Sequence, residues 1–482
     1  MFLAELFPYA NLVYNILMVL YFLTVLAVIV VVLSENRNPV KSMAWVLVLV
    51  LLPVLGLVIY LIFGRSLKGM SLISRSDLRE LRRMNEFSYP TQASEGMSDE
   101  SRQLISLVNK LSGPHLFTGN DVEVFTTGVD KFESLKRDIA NATDHIHVQY
   151  FIIENDAVGG ELLSLLMDKA REGVQVRVLY DYVGSFYMRP RLLKQMRQAG
   201  IEVHPFLELS LTQFAFRVNW RNHRKIVVID GQVGYVGGMN IADRYVTGDK
   251  QWSAWRDTHL RVTGEAVMAL QYSFAIDWNF TTRKLLNSPS LRYTGPQGSM
   301  NLTMQMMGSG PTNRWNSISF VFFKAITLAK RRVYVQTPYF LPSDALLKAL
   351  ESAALSGVDV RLMIPRKLDS EMLRLATGSY IKECLLSGIK VYMYEPTVMH
   401  AKVVIIDDEF VTTGSTNFDF RSFEHNFEFN VLIYNKEFNE KMRQVFEADM
   451  EQCTRLSISK WKQRPLLHKA LESVVRLISP IL

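Results

Sequence analysis

Two stretches of this chain carry the same functional groups at the same spacing. His400-Ala-Lys402 leads through Val403–Ile406 to Asp407, and then to Gly414-Ser415-Thr416-Asn417. His223-Arg-Lys225 leads through Ile226–Ile229 to Asp230, and then to Gly237-Gly238-Met239-Asn240. Both read H-x-K-x4-D-x6-G, then Ser or Gly, any residue, and Asn. An ordinary histidine at a strand end accounts for one such copy. It does not account for two copies in register.

The run after each lysine is β-branched and continuous, so each copy reads as a buried strand. Side chains alternate along a strand, which puts His and Lys, two apart, on one face. The Asp is seven residues beyond the His and has the opposite parity. It reads as a supporting residue held by ion pairs or hydrogen bonds. An imidazole can act as nucleophile or as proton donor near neutral pH. An ammonium and an Asn amide can hold the oxygens of a phosphate. Two such sets facing each other place a nucleophile on one side of a phosphorus and an acid on the other. The lysines supply the positive charge, so no metal and no cofactor is expected.

With 482 residues the chain is too long for one core. Its 48% hydrophobic content and mean hydropathy of +0.07 point to a localised apolar segment. Leu12–Leu33 and Met43–Phe63 are free of charge and each is long enough to cross a bilayer. They predict a transmembrane hairpin over residues 1–68, with helices at about 12–33 and 43–63 and Pro53 as a tolerated kink. Met1–Asn11 has no Lys or Arg and carries Glu5, which argues against a cleaved signal peptide. Arg65, Lys68, Arg75, Arg79, Arg82 and Arg83 follow the second span, against Arg37 and Lys41 in the turn. That imbalance predicts a cytoplasmic location for both termini. A net charge of +7 suits an anionic membrane or nucleic acid. The absence of a stacked aromatic and basic surface disfavours nucleic acid. Cys384 and Cys453 have no zinc spacing and make no disulfide scaffold.

Residues 69–102 read as a basic juxtamembrane segment and linker. Beyond them the chain repeats. His147-Val148-Gln149-Tyr150 resembles Tyr334-Val335-Gln336-Thr337, Gly173–Arg177 resembles Gly357–Arg361, and Gly200–Val203 resembles Gly388–Val391. Strands alternate with helical patterns, which predicts an α/β fold of largely parallel sheets flanked by helices. The repeat sets a first domain at 103–290 and a second at 291–482, with the site at their pseudo-twofold interface. In the tail, Leu466, Leu467, Ala470, Leu471, Val474, Val475 and Ile478 fall near helical spacing. Such an amphipathic helix either lies on a membrane or packs on its own domain.

The doubled motif resembles the signature of the phospholipase D superfamily. Asn38-Pro39, Ala44-Trp45, Pro53, Gly56, Tyr60 and Phe63-Gly64-Arg65, with the ending Arg476–Leu482, resemble the bacterial cardiolipin synthases within it. The likeness spans essentially the whole chain. It implies duplicated phospholipase D-type domains and transfer of a phosphatidyl group from one phosphatidylglycerol to another through a phosphohistidine. A hydrolase or a phosphodiesterase would share the same residues. By family analogy His223 attacks and His400 is the acid, although the near-symmetry of the motifs leaves that assignment open. Lys225, Lys402, Asn240 and Asn417 would hold the phosphate, with Ser415 in support. Asp257 and Glu428 would orient the imidazoles. Asp230 and Asp407 complete the motifs. Gly238 departs from the usual Ser, so one hydroxyl donor is missing opposite Ser415. The likeness further implies a multi-pass enzyme of the bacterial inner membrane, its catalytic domains cytoplasmic and its partners anionic phospholipids. A homo-oligomer is compatible with it.

Overall fold

The computed structural model describes residues 10–34, 39–60, 64, 68–69, 71–84, 96–113, 115–208, 219–286, 288, 291–296 and 298–479. The N-terminal helices form one compact unit. The chain from Lys68 to Glu208 and from Trp220 onward forms the other.

In the first unit, Ala10–Ser34 is a single helix. Among the described residues it is the one helix long and apolar enough to cross a membrane. The second apolar stretch is broken into Pro39–Leu51 and Pro53–Ile59. Pro53 has no N–H to donate to the helix ladder, so one helix stops at Leu51 and the next starts at Pro53. Gly56 lets the backbone close up after the break, since a Cβ there would sit 2.5 Å from the Val48 carbonyl oxygen. Val25, Val32, Leu49 and Tyr60 pack between the helices. Leu12, Leu20, Leu26, Leu47 and Leu55 face outward, the reverse of a water-soluble helix pair. Residues 61–63 of the expected second span lie outside the described residues.

The second unit is built on one sheet. The first half supplies β1 (Phe117–Phe125), β2 (His145–Tyr150), β3 (Gln175–Asp181), β4 (Glu202–Phe206), β5 (Arg221–Asn222), β6 (Ile226–Ile229), β7 (Val233–Gly237) and β8 (His259–Thr263). The second half supplies β9 (Leu302–Ser309), β10 (Arg332–Gln336), β12 (Asp359–Pro365), β13 (Lys390–Tyr394), β14 (Val403–Ile406), β15 (Phe410–Gly414), β17 (Asn426–Tyr434) and β18 (Cys453–Arg455), while β11 (Phe340–Leu341) and β16 (Phe418–Asp419) pair with each other in a separate two-stranded sheet. The order β18-β13-β12-β10-β14-β15-β17-β9-β1-β8-β7-β6-β2-β3-β4 is continuous across both halves. The pair β1–β9 joins them.

The expectation of a largely parallel sheet needs correcting. Along that strand order only β2-β3-β4 and β10-β12-β13 pair in parallel. Each H-x-K strand instead pairs antiparallel on both sides, β6 with β2 and β7, and β14 with β10 and β15. The reason is local. Each motif strand turns straight into a hairpin, and short hairpins make antiparallel pairs.

Two helices depart from the expected boundaries, one inside the linker and one that straddles its end at residue 102. Arg75–Met84 is a helix, and Ile73 and Leu81 pack against Phe274 and Trp278 of the first half. Asp99–Ser112 begins at a Ser98 cap and puts Leu104, Ile105 and Val108 into the core of the second half, not the first. Residues 85–95 lie outside the described residues.

The motif aspartates occupy the far ends of their strands. Asp230 (φ 52°) and Asp407 (φ 47°) are left-handed turn residues, a conformation Asp tolerates better than most residues. The Asp230 carboxylate accepts from the N–H groups of Thr143, Asp144 and His145 at 2.8–2.9 Å. Asp407 does the same for Lys330, Arg331 and Arg332. Each thus ties the hairpin to the start of a core strand, β2 or β10. They make hydrogen bonds, as their parity suggested, and take no place beside the histidines. Asp407→Ala should lower unfolding free energy by about 1–3 kcal/mol, the cost of stranding those donors. Activity per folded molecule should be unchanged, as denaturant titration and specific activity together would show.

Candidate active site

Both histidines lie at the entrance to their strands, and both are held from the opposite half. The backbone does this first. The N–H of His223 donates to the Phe427 carbonyl at 2.9 Å, and the N–H of His400 to the Arg256 carbonyl at 2.7 Å. β5 pairs parallel with the start of β17, and Arg256 bridges Met399. These crossings bring each histidine beside the other half's carboxylate. His223 Nδ1 meets Glu428 Oε1 and Oε2 at 3.0 and 3.1 Å. His400 Nδ1 meets Asp257 Oδ2 at 2.6 Å. The two carboxylates expected to orient imidazoles therefore do so across the pseudo-twofold.

A carboxylate only accepts, so Nδ1 carries the proton on each neutral ring and Nε2 keeps its lone pair. Neither Nε2 has a hydrogen-bond partner among the described residues. Phe151 stands edge-on to His223 at 4.9 Å, and Trp255, Tyr245 and Tyr339 surround His400.

Lys225 and Lys402 are almost fully buried and each donates to the carbonyl of its own histidine. Lys402 Nζ is also 2.8 Å from His400 Nδ1 and 3.7 Å from Asp257 Oδ2. Burial, reinforced by the lysines, pushes both histidines down to about 4. Burial likewise pushes Lys225 down to about 7 and Lys402 to about 8, against the pull of Glu428 and Asp257. For the carboxylates burial acts upward, but His223 with Lys225 outweighs it at Glu428, and Lys402 with His400 at Asp257. Both stay below the usual range. At neutral pH the rings are neutral and the carboxylates ionised.

The remaining predicted residues divide. Asn240 Nδ2 donates to Tyr245 at 3.1 Å, and its Oδ1 accepts from the Ile152 N–H. Buried Asn417 has an Oδ1 with no hydrogen-bond partner among the described residues. Ser415 departs from the expected phosphate role, because its hydroxyl donates to Glu428 Oε2 at 2.5 Å and accepts from the Phe429 N–H. It positions the carboxylate. Gly238 now has a physical reason. A Cβ there would lie 2.2 Å from Asp257 Oδ1. The shorter Asp sits where the serine would be, and the Thr258 N–H, at 2.7 Å, supplies the donor that Ser415 gives Glu428.

The sequence reading missed the groups behind this layer. Asn426 Nδ2 donates to Glu428 at 3.3 Å. Buried Arg224, between His223 and Lys225, pairs with Asp277 at 2.5 Å. Arg256, beside Asp257, pairs with Asp449 through two nitrogens at 3.0 and 2.7 Å. Gln149 and Gln336 donate to those same two aspartates. A signal was present. One Gln recurs inside an apolar strand of both copies, and Phe274-x-x-Asp277 recurs as Phe446-x-x-Asp449. Near His223, Ser185 fixes Phe151 and Ile153 while Phe186 and Tyr187 project outward, 80% and 60% exposed.

Chemically this is a site for a phosphodiester. It holds two Nε2 lone pairs, two ammoniums and two Asn side chains, and none of the groups of three or more His, Cys, Asp or Glu that bind metals occurs among the described residues. A lysine with a lowered pKa loses its charge earlier as pH rises. The kcat/KM of the free enzyme should therefore fall through about 7 and about 8, where Lys225 and Lys402 deprotonate. A pH profile flat across both values would contradict the electrostatics. Gly238→Ser should displace Asp257 and cost at least about 100-fold in kcat while sparing the fold, as kinetics and melting would report.

Comparisons place relatives beside this geometry. The family described as cardiolipin synthase, PLD-like domain matches residues 135–269 and 322–450. The phospholipase D-nuclease N-terminal family matches residues 22–65. The major cardiolipin synthase ClsA of Bacillus subtilis is 40% identical over 97% of this chain and 99% of its own length. Cardiolipin synthases of Alkalihalophilus pseudofirmus and Listeria monocytogenes are 38% and 39% identical over 97% of this chain, covering 94% and 99% of their own lengths. Among solved structures, the phosphatidylserine synthase of Haemophilus influenzae matches with a TM-score of 0.60 at 14% identity, over 80% of this chain and all of that one. That likeness concerns the fold.

Proposed function

Because the chain belongs to the cardiolipin synthases of the phospholipase D superfamily, we propose that it transfers a phosphatidyl group between two phosphatidylglycerol molecules, giving cardiolipin and glycerol. One observation carries the mechanism: each Nδ1 is bound by a carboxylate of the opposite half, which leaves both Nε2 atoms for chemistry. His223 Nε2 attacks phosphorus. The reactive form carries one proton taken up from solution on His400 Nε2, as an imidazolium stabilised by Asp257, and the departing glycerol oxygen takes that proton, leaving neutral His400 and a phosphatidyl-histidine at His223. His400 Nε2 then takes the proton of the second lipid's glycerol hydroxyl. That oxygen attacks phosphorus and His223 leaves. Lys225, Lys402, Asn240 and Asn417 hold the non-bridging oxygens, where negative charge grows. Glu428 and Asp257 stabilise each imidazolium in turn.

Support for a lipid substrate includes the apolar N-terminal helix and the exposed Phe186 and Tyr187, which follow Ser185, the residue that bonds the backbone of Phe151 next to His223. In this reading the chain crosses the bacterial inner membrane twice, and the basic residues from Arg65 to Arg83 hold the catalytic body on the cytoplasmic side. A lipid hydroxyl held at that surface outcompetes water by proximity.

The test is reconstitution of the full chain in phosphatidylglycerol vesicles without added metal, with products identified by mass spectrometry. Cardiolipin with an equal amount of glycerol is expected. Phosphatidic acid with glycerol and no cardiolipin would make the enzyme a hydrolase. His223→Ala and His400→Ala should each lose at least about 1,000-fold in kcat. The covalent lipid adduct should form on His223 only.

A further inference from the structure

The helix Leu466–Ile478 is mounted the wrong way round for a soluble domain. Its inner face holds His468, Glu472, Val475, Arg476 and Ser479. Arg476 pairs with Glu383 at 3.1 Å, Ser479 bonds Tyr380, and buried Glu472 takes Arg464 at 3.0 Å. These contacts dock it on the helix Glu371–Leu386. Its outer face holds Leu466, Leu467, Leu471, Val474 and Leu477. They are 81%, 72%, 45%, 62% and 80% exposed. At 100° per residue these five fall within one arc of about 140° with no charge in it. Soluble proteins do not leave such a stripe uncovered without a partner.

The surrounding charge identifies the partner. From Cys453 to Ser479 there are six basic residues, and the single carboxylate, Glu472, is buried. Lys460 and Lys462 stand exposed on the short helix Ile458–Lys462 just before the stripe. Leucines bordered by lysines, with no exposed acid, complement an anionic bilayer and would repel a second copy of the same face. We propose that Leu466–Ile478 is an interfacial membrane helix. Its leucines enter the acyl boundary of an anionic bilayer, and Lys460 and Lys462 reach the headgroups.

The location gives this contact a use. A cavity of 310 Å³ lies under the helix, lined by Leu368, Trp461, His468 and Glu472. Next to Leu368 is Asp369, which accepts from Tyr339 at 2.9 Å, and Tyr339 stands against His400. The helix thus ties the second half, on the His400 side, to the membrane surface independently of the N-terminal helices.

The test uses the full chain with Cys453→Ser, because Cys384 is buried. A fluorophore at Leu467→Cys or Leu477→Cys is read in vesicles containing bromine-labelled acyl chains, with Arg171→Cys, exposed on the first-half helix Ala157–Arg171, as the control. Quenching of at least about twofold is expected at 467 and 477 in an equal mixture of phosphatidylcholine and phosphatidylglycerol, and little at 171. Lys460→Glu with Lys462→Glu should weaken it. Equal quenching at all three sites, or disulfide trapping of two copies through Leu467→Cys, would overturn the proposal. The signal needs no turnover, so it survives in His400→Ala and is separate from the fate of the proposed reaction.

Discussion

The structure depends on one exchange. Each half lends its carboxylate to the other half's histidine, Glu428 to His223 and Asp257 to His400. Parallel pairing of β5 with β17 and the bridge at Arg256–Met399 set the backbone for it. Neither half holds a complete site. A buried imidazole needs its Nδ1 proton fixed before its Nε2 has a defined role, and each half can meet that need only by contact with the other. The continuous sheet through β1 and β9 makes that contact permanent.

A second layer stiffens the exchange. Arg224 and Arg256 flank His223 and Asp257, and buried aspartates on two long helices hold them, with Gln149 and Gln336 completing each set. These charges are costly to bury singly and tolerable only in pairs. The layout converts the internal repeat of the sequence into rigidity at the point where two lysines, two histidines and two carboxylates crowd together.

Much of this was legible in the sequence because its cause is local. Spacing alone put His and Lys on one face, apolar runs marked the strands, and the repeat marked the pseudo-twofold. What escaped notice depends on distance in the fold. The crossing of Glu428 and Asp257 cannot be read from residues over 140 positions from their partners. Ser415 looked like a phosphate donor until its hydroxyl was found on Glu428. Gly238 looked like a loss, yet it is the space that a shorter carboxylate needs. The sheet direction was misjudged because helices between strands suggest parallel pairing, whereas the motif strands sit in hairpins. The helices Arg75–Met84 and Asp99–Ser112 were hidden by polar composition around residues 75–102, although Ile73, Leu81, Leu104 and Val108 anchor them.

The burial that lowers the two lysines has a thermodynamic corollary. With Lys225 pushed down to about 7, the vacant pocket near neutral pH sets two carboxylates against less than two full positive charges. An arriving phosphodiester adds a negative charge and draws the lysines back to their protonated forms. Lipid binding is then linked to proton uptake from the surrounding solution. Each headgroup enters with a fraction of a proton as its co-ligand, and release of an electrically similar product returns it.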